Sequence, residues 1–286
     1  MIFSDINEIF LPAPSSLFIN LVDCCETIDS FLEVLPGTFA DNKATSTCTM
    51  NALQFGATLL QDCGGKILIF QASMPSIGNG KLKNREGPSV LGTEAETALY
   101  KSDNAIYEKV ANLVVDKQMS IDFFLCSAQY ADVATLSTLN HLTGGQFFFY
   151  PNFMADSPQV EALYADIHHV LSRETGFEAV FRVRVPTGAK IRAFCGNFTI
   201  SHQDLMVVPI CHSDMTITLE FELEDVLSMP SFTIQSALLY TNSRGERRIR
   251  VHTLSIPISN VLSHLYERIN PDVITAVILQ RCKLFN

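Results

Sequence analysis

The sequence predicts a chain of two unlike units: an α/β layer built on a parallel sheet, then an all-antiparallel β unit, closed by a short helical segment. Three observations carry this. Helical and strand-like runs alternate through residues 1–175, and the hydrophobic period drops from 3.6 to 2 at Phe177. The unbroken apolar run Gly64-Gly65-Lys66-Ile67-Leu68-Ile69-Phe70-Gln71-Ala72 reads as a strand covered on both faces, and it is expected to be the central strand of the sheet. The loop after it, Ser73 to Gly92, holds Lys81-Leu82-Lys83-Asn84-Arg85-Glu86. Sites on open parallel sheets are usually built at such strand ends.

Taken in order, Ser4 to Ile9 is polar and irregular, and Pro12 and Pro14 break any helix there. Leu17 to Asp23 resembles a strand ending in an aspartate, the start of a D-x-S-x-S metal pattern. Cys24-Cys25-Glu26 supplies neither serine, so no metal is expected. Asp23 reads instead as a helix cap, with Ile28, Phe31, Leu32 and Leu35 as a core-facing stripe. Thr47 to Asp62 repeats the helical period through Met50, Leu53, Ala57 and Leu60, and Gly64-Gly65 closes it. Ala105 to Val115 is a second such helix through Ile106, Val110, Leu113 and Val114, capped by Asp103 or Asn104. Ser120 to Cys126 is a buried strand. Asp132 caps a helix through Val133, Leu136, Leu139 and Leu142 that ends at Thr143-Gly144-Gly145, and Gln146 to Tyr150 is the third strand. Ser157-Pro158 starts a helix with Val160, Leu163, Ile167, Val170 and Leu171 inward. The alternation implies right-handed parallel crossovers. With only three strands legible, the sheet is expected to be half the usual size.

After Phe177, Ala179 to Val185 alternates, Pro186-Thr187-Gly188 turns, and Ile191 to Phe194 returns. Thr216 to Glu222, Thr233 to Tyr240 and Arg247 to Ile256 are further strands, the last two joined by a hairpin turn at Asn242-Ser243-Arg244-Gly245. Helical segments are expected from Ser259 to Ile269 and, after Pro271, to Lys283.

The chain has 286 residues, 47% of them hydrophobic, enough for real cores. No apolar run reaches membrane-spanning length, and Met1-Ile2-Phe3 leads into polar residues rather than a signal peptide. Eight cysteines, at 24, 25, 48, 63, 126, 195, 211 and 282, form no C-x-x-C pair, and reduced, mostly buried thiols are expected. The seven histidines show no metal spacing; His168 and His169 are adjacent on a helix and point apart. A net charge of −10 argues against nucleic-acid binding. Residues 1–177 carry 9 Lys/Arg against 20 Asp/Glu, whereas residues 178–286 carry 11 against 10, so any contact with anionic lipid is expected in the second unit.

Five ordered phrases are too particular to be generic. They are Gly80 to Glu86; Gln129-Tyr130-Ala131-Asp132-Val133-Ala134-Thr135-Leu136; Thr143-Gly144-Gly145 with Tyr150-Pro151-Asn152-Phe153; Gly176-Phe177-Glu178-Ala179-Val180; and Ala237-Leu238-Leu239-Tyr240-Thr241 with Gly245 to Thr253. In this order they resemble the cargo-selecting subunit of the inner COPII vesicle coat, partner of the GTPase-activating subunit, from about Ser4 to about Lys283. The resemblance implies the second half of an α/β trunk of von Willebrand A (Rossmann) type over 1–175, most of a β-sandwich or barrel over 176–256, and the start of a helical domain over 257–286. It also implies that early sandwich strands come from before the trunk, so an unpaired edge is expected. The family's zinc finger has no counterpart in these residues, so no cofactor is expected.

The implied role is a cargo adaptor in transport from the endoplasmic reticulum to the Golgi. It would be cytoplasmic and peripheral at exit sites and on vesicles, binding the GTPase-activating subunit and cytosolic cargo tails, with the small coat GTPase an indirect partner and the membrane touched peripherally. Acidic sorting signals call for arginine forks beside apolar contacts. The resemblance places one such pocket where the sandwich meets the trunk, and the matching segment supplies Arg182, Arg184, Lys190 and Arg192, the last two expected near the first two across the turn, with Leu238 and Leu239 in the apolar wall. Lys81, Lys83 and Arg85 form a possible partner loop. Arg247, Arg248 and Arg250 could meet lipid headgroups, but alternation with Ile249 and Val251 reads more simply as a strand with a polar outer face.

An enzyme is the competing class. Asp122, Asp132 and His141 fall near strand ends, but no Gly-x-Ser-x-Gly elbow, phosphate loop or dinucleotide fingerprint is present. Cys48, Cys63 and Cys126 have no basic or histidine neighbour in sequence. No catalytic residue is assigned. A stand-alone von Willebrand A-like interaction domain is the other alternative, disfavoured by the appended phrases around Tyr240 and His252.

Overall fold

Met50, Leu53 and Ala57 recur at helical spacing on α2 (Thr49–Leu60), and all three are buried against a three-stranded parallel sheet. The computed structural model describes residues 17–202, 205–227 and 229–284. The expected breaks at Pro12 and Pro14 and the polar opening from Ser4 to Ile9 lie outside the described residues.

The sheet comprises β1 (Gly65–Gln71), β2 (Met119–Ser127) and β3 (Phe147–Pro151), paired in parallel in the order β1-β2-β3. Among the described residues the centre is therefore β2, and the expectation that Gly64–Ala72 would be central is corrected: β1 is an edge there. Ile121, Phe123 and Leu125 of β2 meet the core made by α2, α3 (Ala105–Asp116) and α4 (Val133–Thr143). Phe124 meets Val170 of α5 (Gln159–Ser172) on the other face. On β1, Ile67 and Ile69 join the first core and Leu68 the second, while Phe70 stays 55% exposed. The ladder Phe70–Phe124–Phe148 stacks across all three strands at 4.8 and 4.7 Å between ring centres, so the register places aromatic faces in contact.

Caps follow the sequence in part. The Asn104 side chain accepts from Ile106 N at the start of α3, and Asp132 accepts from Thr135 N at the start of α4. Gly144 ends α4 at φ 76, a left-handed conformation that a side chain would strain. Leu113 and Leu171, read as inward, are exposed; Tyr107, Ala111 and Val115 complete the buried face of α3 instead. Ser157 bonds Met154 O rather than capping α5. The stretch 17–24 is turn-like rather than a strand, and α1 (Cys25–Phe39) has Cys24, not Asp23, at its cap position. The stripe on α1 is also corrected: Phe31 and Leu32 are exposed, and among the described residues nothing covers the helix well enough to bury any of its side chains.

The β unit is a sandwich of two antiparallel sheets. One has the order β10-β9-β4-β7-β6 and the other pairs β5 with β8. The strands are β4 (Thr175–Arg184), β5 (Ala189–Cys195), β6 (Thr199–His202), β7 (Leu205–His212), β8 (Thr218–Leu223), β9 (Ser231–Asn242) and β10 (Arg247–Pro257). Ala179, Phe181 and Val183 of β4, Met206 and Val208 of β7, and Leu238 and Tyr240 of β9 meet Ile191, Phe194 and Leu219 from the opposing pair. Sequence reading missed β6 and β7, since Pro209 inside β7 removes a ladder donor. That proline sits where β4 bulges: the β4–β9 register shifts by one between Phe177 and Val180, with Glu178 at φ 49. The Pro186–Gly188 turn does not fold β5 back onto β4 as expected; it carries the chain to the other sheet.

The hairpin turn at Asn242 is as read, with Asn242 Oδ1 accepting from Arg244 N and Glu246 N. The edge strand β10, however, is exposed along its whole length, Ile249 at 69% and Val251 at 54%. Arg248 and Arg250 lie opposite Tyr240 and Leu238 on the sandwich side, and Arg250 Nε donates to Tyr240 Oη at 3.1 Å. Its outer face thus presents Ile249 and Val251 rather than Arg248 and Arg250, a further correction. Two helices follow, α6 (Leu262–Glu267) and α7 (Pro271–Leu284), the second tied to β8 by a two-bond ion pair between Arg281 and Glu220.

Candidate peptide-binding face and inter-unit cleft

Antiparallel register decides which predicted residues share a surface. Val180, Arg182 and Arg184 of β4 lie opposite Leu239, Ala237 and Gln235 of β9, and Leu239 and Ala237 lie opposite Ile249 and Val251 of β10. These residues form one outer face of the five-stranded sheet, an apolar strip of Val180, Leu239, Ile249 and Val251 bordered by Arg182 and Arg184. Both arginines are exposed, and the Arg184 guanidinium has no hydrogen bond or ion pair among the described residues. Leu238 points the other way, into the sandwich core.

Lys190 and Arg192 are not part of that face. They stand on β5, where Lys190 Nζ is 2.9 Å from Glu224 Oε1 and 3.6 Å from Glu222 Oε2. Hydrogen bonding to Glu224, then the charge of Glu222, holds the Lys190 pKa above its ordinary value. Arg192 lies beside Glu220, whose carboxyl is held low chiefly by its bond to Arg281 and further by Arg192. Sequence alone placed all four cations together because it took β5 for the return arm of a β4 hairpin.

The Lys81–Glu86 loop is fastened rather than free. Leu82 is in the core, Tyr107 Oη donates to Gly80 O, and Arg85 donates to Ala98 O, Leu99 O and, at 2.6 Å, Asp132 Oδ1. Arg85 is therefore committed internally, while Lys81 and Lys83 remain exposed.

A cleft of about 1450 Å³ lies where the α/β and sandwich units meet; none of the residues expected to bind cargo or a partner lines it, whereas Asp132 and His141, weighed for the enzyme class, do. Its walls include Tyr130, His141, Asn197, His212 and Asp214. Asn197 Nδ2 donates to Gly145 O at 3.0 Å and Thr199 Oγ1 to Leu142 O at 2.9 Å, stitching the units together. Asp214 accepts from Arg173 Nη1 at 2.8 Å and pairs with His169 Nε2 at 2.7 Å. Those bonds, Arg173 first, hold the Asp214 carboxyl down to about 2. Burial, then the charges of Arg173 and Lys66, pushes the His212 imidazole down to about 4, with Asp122 and Asp214 opposing. Among the described residues, no cluster of His, Cys, Asp or Glu could hold a metal ion, and no helix is long and apolar enough to cross a membrane. Gln129–Asp132 and Gly144-Gly145, parts of two of the ordered phrases, line this cleft, but nothing in the sequence marked Asn197 or Asp214 as its far wall.

The His212 shift sets a pH dependence. Native His212 binds fewer protons than the unfolded chain between about pH 6.5 and its folded value. Stability is therefore expected to fall as pH drops through that window, and Asp214's contribution fades separately, from about pH 4 downward. In thermal melts the midpoint at pH 5 should lie below that at pH 7. His212→Gln should flatten the slope, and an unchanged slope would remove His212 as its source.

A model of the Sec23/Sec24 trunk domain matches residues 1–171, and a model of the Sec23/Sec24 beta-sandwich domain matches residues 176–259. The chain is 40% identical over 276 residues to a protein transport protein SEC24 from Chaetomium globosum, covering 96% of this chain and 29% of that protein. It is 40% identical over 267 residues to the Neurospora crassa protein of the same name, covering 93% and 28%. The solved structure of the human COPII-coat protein Sec24c superposes at a TM-score of 0.92 and 32% identity, covering 98% of this chain and 38% of that one. The chain thus spans under a third of the length of these curated relatives.

Proposed function

This chain belongs to the Sec23/Sec24 family, and from that membership we propose that it is part of a non-enzymatic cargo adaptor of the COPII coat. In this reading it needs no cofactor of its own and acts peripherally on the cytosolic face of endoplasmic reticulum exit sites and vesicles. It pairs with the GTPase-activating coat subunit, the exposed Lys81 and Lys83 belonging to the partner-facing loop, and meets the small coat GTPase only indirectly. The sandwich face reads cytosolic tails of membrane cargo. The observation that carries this is the outer face of the β10-β9-β4 sheet: an apolar strip of Val180, Leu239, Ile249 and Val251 beside the Arg182–Arg184 pair. An acidic-apolar tail segment matches both halves, its carboxylates taking guanidinium forks and its apolar side chains the strip.

The test is fluorescence anisotropy with labelled acidic-apolar tail peptides on the 286-residue chain. Arg184→Ala should weaken binding by about five- to tenfold, the worth of one charge-assisted contact at ~1–1.5 kcal/mol. Melting should be unchanged, since Arg184 is exposed and bonds nothing described. Equal affinity of parent and variant would reject this face as the reader.

A further inference from the structure

A second groove, of about 680 Å³, runs between the last turn of α5 and the β9–β10 hairpin, and it is lined by Lys66, Arg173, Arg244 and Arg248 with a single carboxylate, Glu174. The Arg173 side chain is only 2% exposed. Its Nη1 is taken by Asp214, but Nε and Nη2, the two parallel donors of the guanidinium's side edge, are buried without an acceptor. Lys66, whose buried Nζ is 2.8 Å from the buried Asp122 Oδ2, lines the same groove. Arg244 stands exposed at the hairpin tip, its side chain without a described partner. Leaving two guanidinium donors buried and unmade is costly.

We propose that this groove binds a phosphate-class oxyanion, held two-pronged on the side edge of Arg173 and approached past Arg244. A tetrahedral oxyanion presents two oxygens at the spacing of that edge, and Lys66 and Arg248 add charge without competing for it. Arg248 is paired with Glu246, Lys66 with Asp122, and the C-terminal carbonyls of α5 oppose an anion. Affinity is therefore set by the fork and the free Arg244 and should be millimolar. The chemistry admits free phosphate or a phosphate carried on a lipid headgroup. This site is separate from the outer sheet face, so the two can fail independently.

The experiment titrates the 286-residue chain with inorganic phosphate by calorimetry, and with phosphatidylcholine vesicles containing or lacking phosphatidic acid by flotation. Saturable phosphate binding is expected, weakened at least fivefold by Arg173→Lys, which retains a cation for Asp214 but lacks the fork. Arg244→Glu should weaken it similarly and leaves the buried network untouched, so a folding defect in Arg173→Lys does not decide the matter. Arg184→Ala should not alter it. Flotation that needs phosphatidic acid and Arg244 assigns the headgroup source, and phosphate binding without flotation assigns the free ion. No saturable binding in either arm, or binding indifferent to both Arg173→Lys and Arg244→Glu, overturns the proposal.

Discussion

Gly145→Ala is expected to leave the chain largely unfolded. A Cβ on Gly145 would stand 1.8 Å from Ile121 O and 2.6 Å from the carbonyl carbon of Ile121. The obstacle is the backbone of β2 at the fully buried Ile121, so no rotamer change relieves it. Relief must come from shifting the α4–β3 corner. That breaks the bonds of Asn140 Nδ2 to Ile121 O and Gln146 O and of Gln146 N to Asp122 Oδ1. Overpacking alone costs about 1–3 kcal/mol, and each buried bond lost adds roughly 1–3 more. The sum rivals the ~5–15 kcal/mol that holds a typical domain folded. Soluble yield and a circular-dichroism melt check this; a variant melting within a degree or two of the parent would refute the packing.

Asp132→Ala is expected to cost about 3 kcal/mol or more, because it removes two supports at once. One is the cap of α4, made through Thr135 N and Thr135 Oγ1. The other is the ion pair with Arg85, whose guanidinium would be left with backbone carbonyls alone. Asp132→Asn keeps a capping oxygen and loses the charge, so it should fall between parent and Ala. Urea denaturation orders the three. Limited proteolysis should show cleavage within Ser73–Gly92 rising in the same order, and an uncleaved loop in Asp132→Ala would mean that Leu82 and Tyr107 hold it unaided.

The α/β unit was legible because its helices and strands carry unambiguous periods: α2, α3, α4 and all three strands fall where the apolar spacing puts them. Which strand is central was not legible. An apolar run reads alike whether it is covered on both faces or lies at an edge with Phe70 exposed. The stripe on α1 failed for a related reason, since a helix can present an apolar face and bury none of it among the described residues. In the β unit, alternation gave the direction of each side chain within a strand but not which strand lies next. Arg182 and Arg184 were rightly placed on one face, whereas Lys190 and Arg192 went to the wrong sheet because Pro186-Thr187-Gly188 reads as a hairpin turn. Pro209 concealed β7. The second groove was invisible in sequence, its lining coming from positions as distant as Lys66 and Arg248.

The extra residue at Glu178 has a consequence for how this strand can vary. Upstream of it β4 is in step with β9 at Phe177–Thr241, and downstream it is one residue out, at Val180–Leu239. A single-codon deletion or insertion here would act like a frame slip within the strand. Every side chain from Ala179 to Arg184 would exchange inside for outside, driving Arg182 and Arg184 into the sandwich and turning Phe181 and Val183 to water. Arg182 and Arg184 are thus indexed by one left-handed glutamate several residues away. A lineage could replace those arginines freely, yet could not change the length of the segment that aims them.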